Sequence, residues 1–289
     1  CYGKVLRCFD FKHNTECALK IIKGEKRFYQ SYKKELDYLL HLKNVYNKNQ
    51  ALGNKFRPLF TNIVKSFTWR SQGVLVFNLY DKDLYHAKLG RLEKNALKIV
   101  MTDIFEALLF LKYANILHLD LKPENVFLVD NKSFNVVIGD FGLARYGNKL
   151  QKDFNVQTCW YRSPEVILQN QYSYSADLWS AGLIFLELII DYPLLRAKTD
   201  CGLYYILTQF LGEMPLKMTN YNRDINPDKL DMDISNSYKS SLKNHIYKVR
   251  TLIELYMIDG ARKIIDGILI WNPKKRISIE ECNELIKEL

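Results

Sequence analysis

Ile116-Leu117-His118-Leu119-Asp120-Leu121-Lys122-Pro123-Glu124-Asn125-Val126-Phe127-Leu128 decides the reading of this chain, because it sets polar groups capable of chemistry between two apolar runs. Buried flanks would hold an exposed loop. Within it Asp120 can take a proton from a hydroxyl, Lys122 can neutralise a phosphate, and Asn125 offers the neutral amide oxygen that a Mg²⁺ ion accepts. Pro123 stiffens the turn between them by fixing φ.

Upstream of the loop, Leu97, Val100, Ile104, Ala107, Leu108 and Leu111 recur at helical spacing, which predicts a helix over 92–111 that delivers the loop. Downstream, 126–129 and 136–138 predict short strands joined by a polar turn at Asp130-Asn131-Lys132, and Asp140-Phe141-Gly142 follows at once. Further out, Asp177-Leu178-Trp179-Ser180-Ala181-Gly182 opens a long apolar helix. The polar stretch from Asn220 to Tyr238, with Asp224, Asp228, Asp231 and Asp233, predicts a solvated loop.

The N-terminal part begins with a strand around Gly3-Lys4-Val5 and a turn at Asn14-Thr15. Cys17 to Ile22 reads as a buried strand on which Ala18, Lys20 and Ile22 share one face. A lysine there needs a carboxylate or phosphate to meet it, since burying an unpaired ammonium is costly; the alternative is an edge lysine reaching solvent. From about Glu25 to Leu42 the residues Phe28, Tyr32, Glu35 and Leu39 fall at helical spacing, which puts Glu35 on the inward stripe. A carboxylate facing a core needs a cation. Pairing it with Lys20 accounts for both oddities together, with Lys33 and Lys34 as alternatives. Residues 44–57 show little pattern and predict a loop, followed by strands at 63–67 and 73–77.

The chain has 289 residues, 48% of them hydrophobic and 26% charged, which suits a globular protein with an ample core and excludes disordered and collagen-like classes. The longest apolar run, Ala181 to Leu195, is interrupted by Glu187 and Asp191 and is too short for a bilayer, which needs about 20 residues. No membrane association is expected. Six scattered cysteines without a C-x-x-C pair predict a reducing, intracellular setting, cytoplasm or nucleus. The net charge of +10 comes from lysines spread along the chain rather than one block, which predicts a solvated surface and no direct nucleic-acid binding.

The stretch at 116–128 resembles the catalytic loop H-R-D-L-x-x-x-N of the protein kinases, with Leu119 where that family has Arg. Gly3-Lys4-Val5 is similar to the end of the kinase glycine-rich lid, and Cys17-Ala18-Leu19-Lys20 to the V-A-I-K strand. Asp140-Phe141-Gly142 matches the metal-binding turn, and Trp160-Tyr161-Arg162-Ser163-Pro164-Glu165 resembles the A-P-E segment. The resemblance implies an α+β, bilobal kinase fold with a small β-rich N-lobe (about 1–77), a hinge (about 78–83) and a larger helical C-lobe (about 84–289). It also implies that the first strand and two glycines of the lid fall before Cys1.

For function, the resemblance implies transfer of the γ-phosphoryl group of ATP to Ser/Thr hydroxyls of a protein substrate, with Mg²⁺ as the metal, by a monomer. Asp120, Lys122, Lys20, Glu35 and Thr158 form the catalytic set, and Asn125 and Asp140 the metal ligands. Gly3, Val5, Ala18, Lys20, Phe77, Asn78, Tyr80, Asp83 and Phe127 line the nucleotide. Asp177 is expected to accept hydrogen bonds from the catalytic-loop backbone, and Arg276 of Asn272-Pro273-Lys274-Lys275-Arg276-Ile277 to pair structurally with Glu165.

Lys122 two residues after Asp120 is similar to Ser/Thr kinases, and the long stretch from Gly212 to Ile264 to the CMGC group. Within that group the chain resembles the SR-protein and dual-specificity tyrosine-regulated branch. The rival reading is a pseudokinase scaffold, suggested by the incomplete lid and by Leu119.

Overall fold

The computed structural model describes residues 3–51, 58–147, 150–151, 153, 155–215 and 236–289. Cys1 and most of the polar stretch 220–238 lie outside these residues; its last three positions already belong to a helix.

An antiparallel sheet of order β1-β2-β4-β3 forms the first lobe, with β1 at Gly3–Asp10, β2 at Thr15–Ile22, β3 at Ile63–Trp69 and β4 at Gln72–Asn78. The β1–β2 turn is closed by Asp10, whose carboxylate accepts from the backbone N–H of Lys12 (2.9 Å) and His13 (3.3 Å), while Asn14 takes φ 52°. Register places Val5 and Leu75 on either side of Lys20, and Phe77 beside Ala18. Paired residues point the same way, so all five share one face. At Gly3 any Cβ would collide with the Ile21 carbonyl oxygen, which is why the strand opens on glycine.

Helix α1 (Lys26–Ala51) packs on that face, the Tyr32 ring lying over Gly73 where a Cβ would strike it. The helix runs on from Leu42 to Ala51, against the expected loop over 44–57; residues 52–57 are outside the described set. The reason is a helical stripe masked by polar neighbours. Leu42 is fully buried, Val45 and Tyr46 pack on the core, and Tyr46 meets Phe60 and Phe110 at 6.1 and 6.3 Å. Asn44, Asn47 and Lys48 occupy the outer side, while Asn49 is buried in the stripe and donates to the Val45 carbonyl at 2.9 Å.

The second lobe is helical. It comprises α2 (Leu84–Ala87), α3 (Lys94–Tyr113), α4 (Pro164–Ile167), α5 (Tyr174–Ile190), α6 (Asp200–Leu211), α7 (Asn236–Tyr256), α8 (Asp259–Ile268) and α9 (Ile279–Glu288). Helix α5 is apolar almost all round and nearly every residue is buried, the signature of a helix at the centre of its lobe. Between α3 and α4 run four short strands: β5 (Ile116–Leu117), β6 (Val126–Leu128), β7 (Val136–Ile138) and β8 (Arg145–Tyr146). Strands β6 and β7 form a hairpin whose turn is held by Asp130 Oδ1, which accepts from Lys132 N and Ser133 N at 2.7 Å each. Strand β5 pairs with β8, so the loop after β5 and the Asp140 turn before β8 are brought together between the lobes.

Candidate active site

From β2 the Lys20 ammonium reaches Glu35 Oε1 of α1 at 2.7 Å and Asp140 Oδ1 at 2.8 Å. The alternative partners Lys33 and Lys34 are exposed on the outer side of α1. Burial by itself would lower the Lys20 ammonium, but the two carboxylates outweigh it and hold it above its ordinary value. Glu35 is pushed up by its burial, with Lys20 opposing; Asp140 feels the same burial but Lys20 prevails and holds it below the usual range. One cation thus faces two anions. The Asp140 side chain is 44% exposed, so the excess negative charge looks into the cleft.

Asp140 takes φ 63°, a left-handed conformation that Asp tolerates, and its carboxylate accepts from Gly142 N at 3.3 Å. Phe141 behind it is fully buried against the His118 ring, centroids 5.0 Å apart.

The loop after β5 is built around a second buried carboxylate. Asp177 of α5 accepts from His118 N (2.7 Å) and Leu119 N (2.8 Å), which holds Leu119 at φ 62°. His118 Nδ1 accepts from Asp120 N at 3.2 Å, so its other nitrogen, Nε2, donates to Gly139 O at 2.9 Å. That one ring ties the Asp120 loop to the Asp140 turn. Asp120 Oδ1 accepts from Thr158 Oγ1 at 2.7 Å and Thr158 N at 3.2 Å; Oδ2 meets Lys122 Nζ at 3.0 Å and accepts from Asn125 Nδ2 at 3.1 Å. Lys122 also donates to Thr158 Oγ1 at 2.8 Å. A hydroxyl therefore already rests between this carboxylate and this ammonium.

Asn125 donates its Nδ2 protons to Asp120, leaving its amide oxygen as the acceptor. Among the described residues no three His, Cys, Asp or Glu side chains cluster as a metal site. A Mg²⁺ ion held by one or two protein oxygens plus substrate phosphates needs no such cluster, so Asp140 and Asn125 fit it.

Of the expected nucleotide-lining residues, Gly3, Val5, Ala18 and Phe77 lie on the Lys20 face of the sheet, Val5 66% exposed there. Asn78 is exposed at the end of β4. Tyr80 accepts from Asn62 N at 3.2 Å and lies 6.4 Å from the half-buried Phe127 ring. Asp83 is engaged locally, capping α2 by accepting from His86 N at 2.9 Å and pairing with the His86 ring at 2.7 Å.

Three features had no assigned role in the sequence. Gln157, 3% exposed at φ 60°, donates to Ala176 O and Ser180 Oγ, accepts from both Ser163 N and Ser163 Oγ, and its backbone N–H donates to Leu119 O. Tyr161 donates to Glu187 Oε2 at 2.7 Å beside a cavity of about 350 Å³ lined by Tyr85, Pro123, Glu187 and Asp191. Burial pushes the Glu187 carboxyl up to about 7, with Glu124 and Asp191 adding to it and Tyr161 opposing. Tyr146 donates to Asp37 of α1 at 2.9 Å, linking β8 to the helix that carries Glu35.

The structural pair Glu165 and Arg276 is bidentate, both bonds 2.7 Å, with both side chains fully buried.

Comparison with known proteins gives a consistent picture. The family model described as a protein kinase domain matches residues 1–285. A YAK1-homolog dual specificity protein kinase of Encephalitozoon cuniculi is 30% identical over 227 residues, 77% of this chain and 53% of that protein. Dual specificity tyrosine-phosphorylation-regulated kinase 4 of Homo sapiens is 33% identical over 221 residues, 74% of this chain and 40% of its own length. The chain thus spans about half or less of these curated relatives. A solved kinase-domain crystal structure superposes with a TM-score of 0.83 at 23% identity, covering 99% of this chain and 92% of the other. Of the two branches the motifs resembled, these relatives carry the dual-specificity name.

Proposed function

We propose, on the premise that this chain belongs to the protein kinase family, that it transfers the γ-phosphoryl group of ATP to Ser or Thr hydroxyls of protein substrates. The observation that carries the reading is the assembled contact of Lys20 with Glu35 and Asp140, at 2.7 and 2.8 Å. A scaffold would be free to lose this arrangement, and nothing in the site favours that rival.

ATP with Mg²⁺, when bound, supplies the phosphoryl group and the counter-charge for it. Lys20, fixed by Glu35, positions phosphate oxygens, and Asp140 with Asn125 would hold the ion. Asp120 orients the incoming hydroxyl and receives its proton. Lys122 sits 2.8 Å from a hydroxyl oxygen already and can turn toward the transferring group as the substrate hydroxyl takes its place on Asp120. Gly3, Val5, Ala18, Phe77, Asn78, Tyr80 and Phe127 are proposed to surround the nucleotide, with Asp83 at its edge. The same reading extends to a monomer in an intracellular setting, in keeping with the free thiols Cys8, Cys17, Cys159 and Cys282 among the described residues.

The test is transfer of labelled phosphate from ATP to a Ser/Thr peptide library. Asp120→Asn should lose at least about a thousandfold of the rate, roughly 4 kcal/mol of barrier. Equal transfer by wild type and variant would overturn the assignment.

A further inference from the structure

The fold gathers cations that the sequence scatters. The Arg196 guanidinium lies 5.7 Å from the Trp160 ring centroid and 5.9 Å from that of Tyr192, and its Nη1 donates to the Tyr192 hydroxyl at 3.3 Å. Lys248, from α7, stands 3.9 Å over the same Tyr192 ring. Between Arg196 and the exposed Lys198, the Ala197 carbonyl accepts from Trp160 Nε1 at 3.0 Å, which clamps this strip of backbone to the segment that carries Thr158. Lys198 N donates to the Tyr238 hydroxyl at 2.8 Å, fixing the other end.

The charge here is uncompensated. Among the described residues none of Arg196, Lys198 and Lys248 has a carboxylate partner, whereas nearby Arg162 is paired with Asp200 at 2.8 Å. His245 registers the surplus: burial pushes its ring below the ordinary value, and Arg196 and Lys248 add to that against the Leu194 carbonyl. A guanidinium held against aromatic faces has already lost much of its rotamer freedom and, with one N–H given to the Tyr192 hydroxyl, keeps other donors, so an oxyanion meets a donor array set in advance.

The position of the cluster identifies what would meet it. Trp160 is two residues beyond Thr158, whose hydroxyl lies 2.7 Å from Asp120. An extended chain advances about 3.3 Å per residue, so a substrate with its hydroxyl at Asp120 reaches the cluster within about two to four residues. We propose that Trp160, Tyr192, Arg196, Lys198 and Lys248 form a specificity subsite for an anionic side chain, acidic or phosphorylated, flanking the acceptor of a protein substrate. This rests on the phosphotransfer reading for its register, though not for the existence of the anion site.

The experiment has two arms. In the first, fluorescent peptides with Ala at the acceptor and Asp, phosphoserine or Ala at each flanking position are titrated by anisotropy. Asp or phosphoserine peptides should bind at least about fivefold tighter than neutral ones, Arg196→Glu and Lys248→Glu should erase the preference, and Lys65→Glu on the far sheet should leave it. A preference for phosphoserine alone assigns the subsite to phosphorylated substrates, and equal gains assign it to acidic ones. Equal binding of neutral peptides, or a loss with Lys65→Glu as large as with Arg196→Glu, overturns the proposal. In the second arm, the same series with Ser acceptors is assayed for transfer. Transfer without charge preference overturns the subsite and leaves the kinase reading intact. Arg196-dependent binding with no transfer to any peptide overturns the kinase reading and leaves the anion site standing.

Discussion

Two buried carboxylate–cation pairs hold this molecule together, and they are built differently. Glu165 and Arg276 meet through two bonds of 2.7 Å with both side chains fully buried, and the remaining donors of the guanidinium go to the carbonyls of Ser175, Ile270 and Trp271 while its Cζ lies 4.9 Å from the Trp179 ring centroid. Every group is used. Glu35 and Lys20 also meet at 2.7 Å, but Lys20 is shared with Asp140, whose carboxylate is 44% exposed. The lesson is that saturation marks a structural pair, while unbalanced charge facing an opening marks a pair that has further work to do.

The first way to break this contrast is Glu165→Ala, which leaves Arg276 charged, buried and unpaired. It should cost about 3–5 kcal/mol, read as a fall in the urea midpoint and in Tm. Replacing both partners together by Leu and Met should recover much of the loss. A cost below about 1 kcal/mol for the single variant would make the pair dispensable.

Lys20→Met should behave in the opposite sense, costing activity more than stability. Transfer should fall by at least about a hundredfold, roughly 2.7 kcal/mol of barrier. Stability should suffer less, because Glu35, already pushed up by burial, can take a proton and donate to Asp140. The sign is definite: a carboxyl whose folded value is raised is stabilising below its unfolded value, and that stability is lost as pH rises through the folded value. Unfolding at several pH values checks this, and a variant that unfolds as badly as Glu165→Ala at every pH would erase the distinction.

Much of this was legible in the sequence because it is local. The loop at 116–128 is contiguous, and the inward-facing Lys20 and Glu35 betrayed themselves by standing at apolar positions of a strand and a helix. Where reading failed, partners were distant or polar residues hid the pattern. Gln157 binds Leu119, Ser163, Ala176 and Ser180, which no periodicity connects. The last turns of α1 read as a loop because Asn49 takes a buried place in its stripe and Asn44, Asn47 and Lys48 crowd its outer side, although Leu42, Val45 and Tyr46 continue the stripe. Arg196, in the stretch after α5, and Lys248, on α7, are far apart in the chain and meet at the Tyr192 ring.

A smaller effect is expected at Glu187, a half-buried carboxylate, whose partner is a neutral hydroxyl rather than a cation. Its value, raised from 4.5 to about 7, means that the protonated form stabilises the fold below about pH 4.5 and that this contribution is lost as pH climbs toward 7. Glu187→Gln keeps an acceptor for Tyr161 without the titration. The variant should gain on the order of 1 kcal/mol or more over wild type at pH 8, shrinking toward zero below about pH 4.5. A pH-independent difference in Tm would show that the carboxyl titrates normally.

The smallest effect is the one expected from removing phosphate. In kinases switched by phosphorylation of the segment after Asp140, an Arg before the catalytic Asp helps to gather the added phosphate. Here Leu119 is instead fully buried in an apolar cluster with Leu117, Val156, Val166, Tyr172 and Ala176, so contacts made by carbon hold the segment where a phosphate bridge would. Arg145, a cation of this segment among the described residues, is engaged: it donates to the Leu143 and Ala144 carbonyls and pairs with Asp153 at 2.9 Å; Lys152 lies outside the described residues. That bond holds the Asp153 carboxyl below its usual range, and the Asp153 carbonyl in turn accepts from Tyr172 at 2.6 Å. The hydroxyls of the segment are occupied as well, Thr158 by Asp120 and Lys122, Tyr161 by Glu187, and Tyr146 by Asp37. Phosphatase treatment of the active protein, with mass spectrometry confirming that these three residues are unmodified, should therefore leave the transfer rate within about twofold. A tenfold fall would mean that apolar packing at Leu119 does not replace a phosphate, whereas the double variant Leu119→Ala, Asp153→Ala should lower the rate by loosening the segment from both sides.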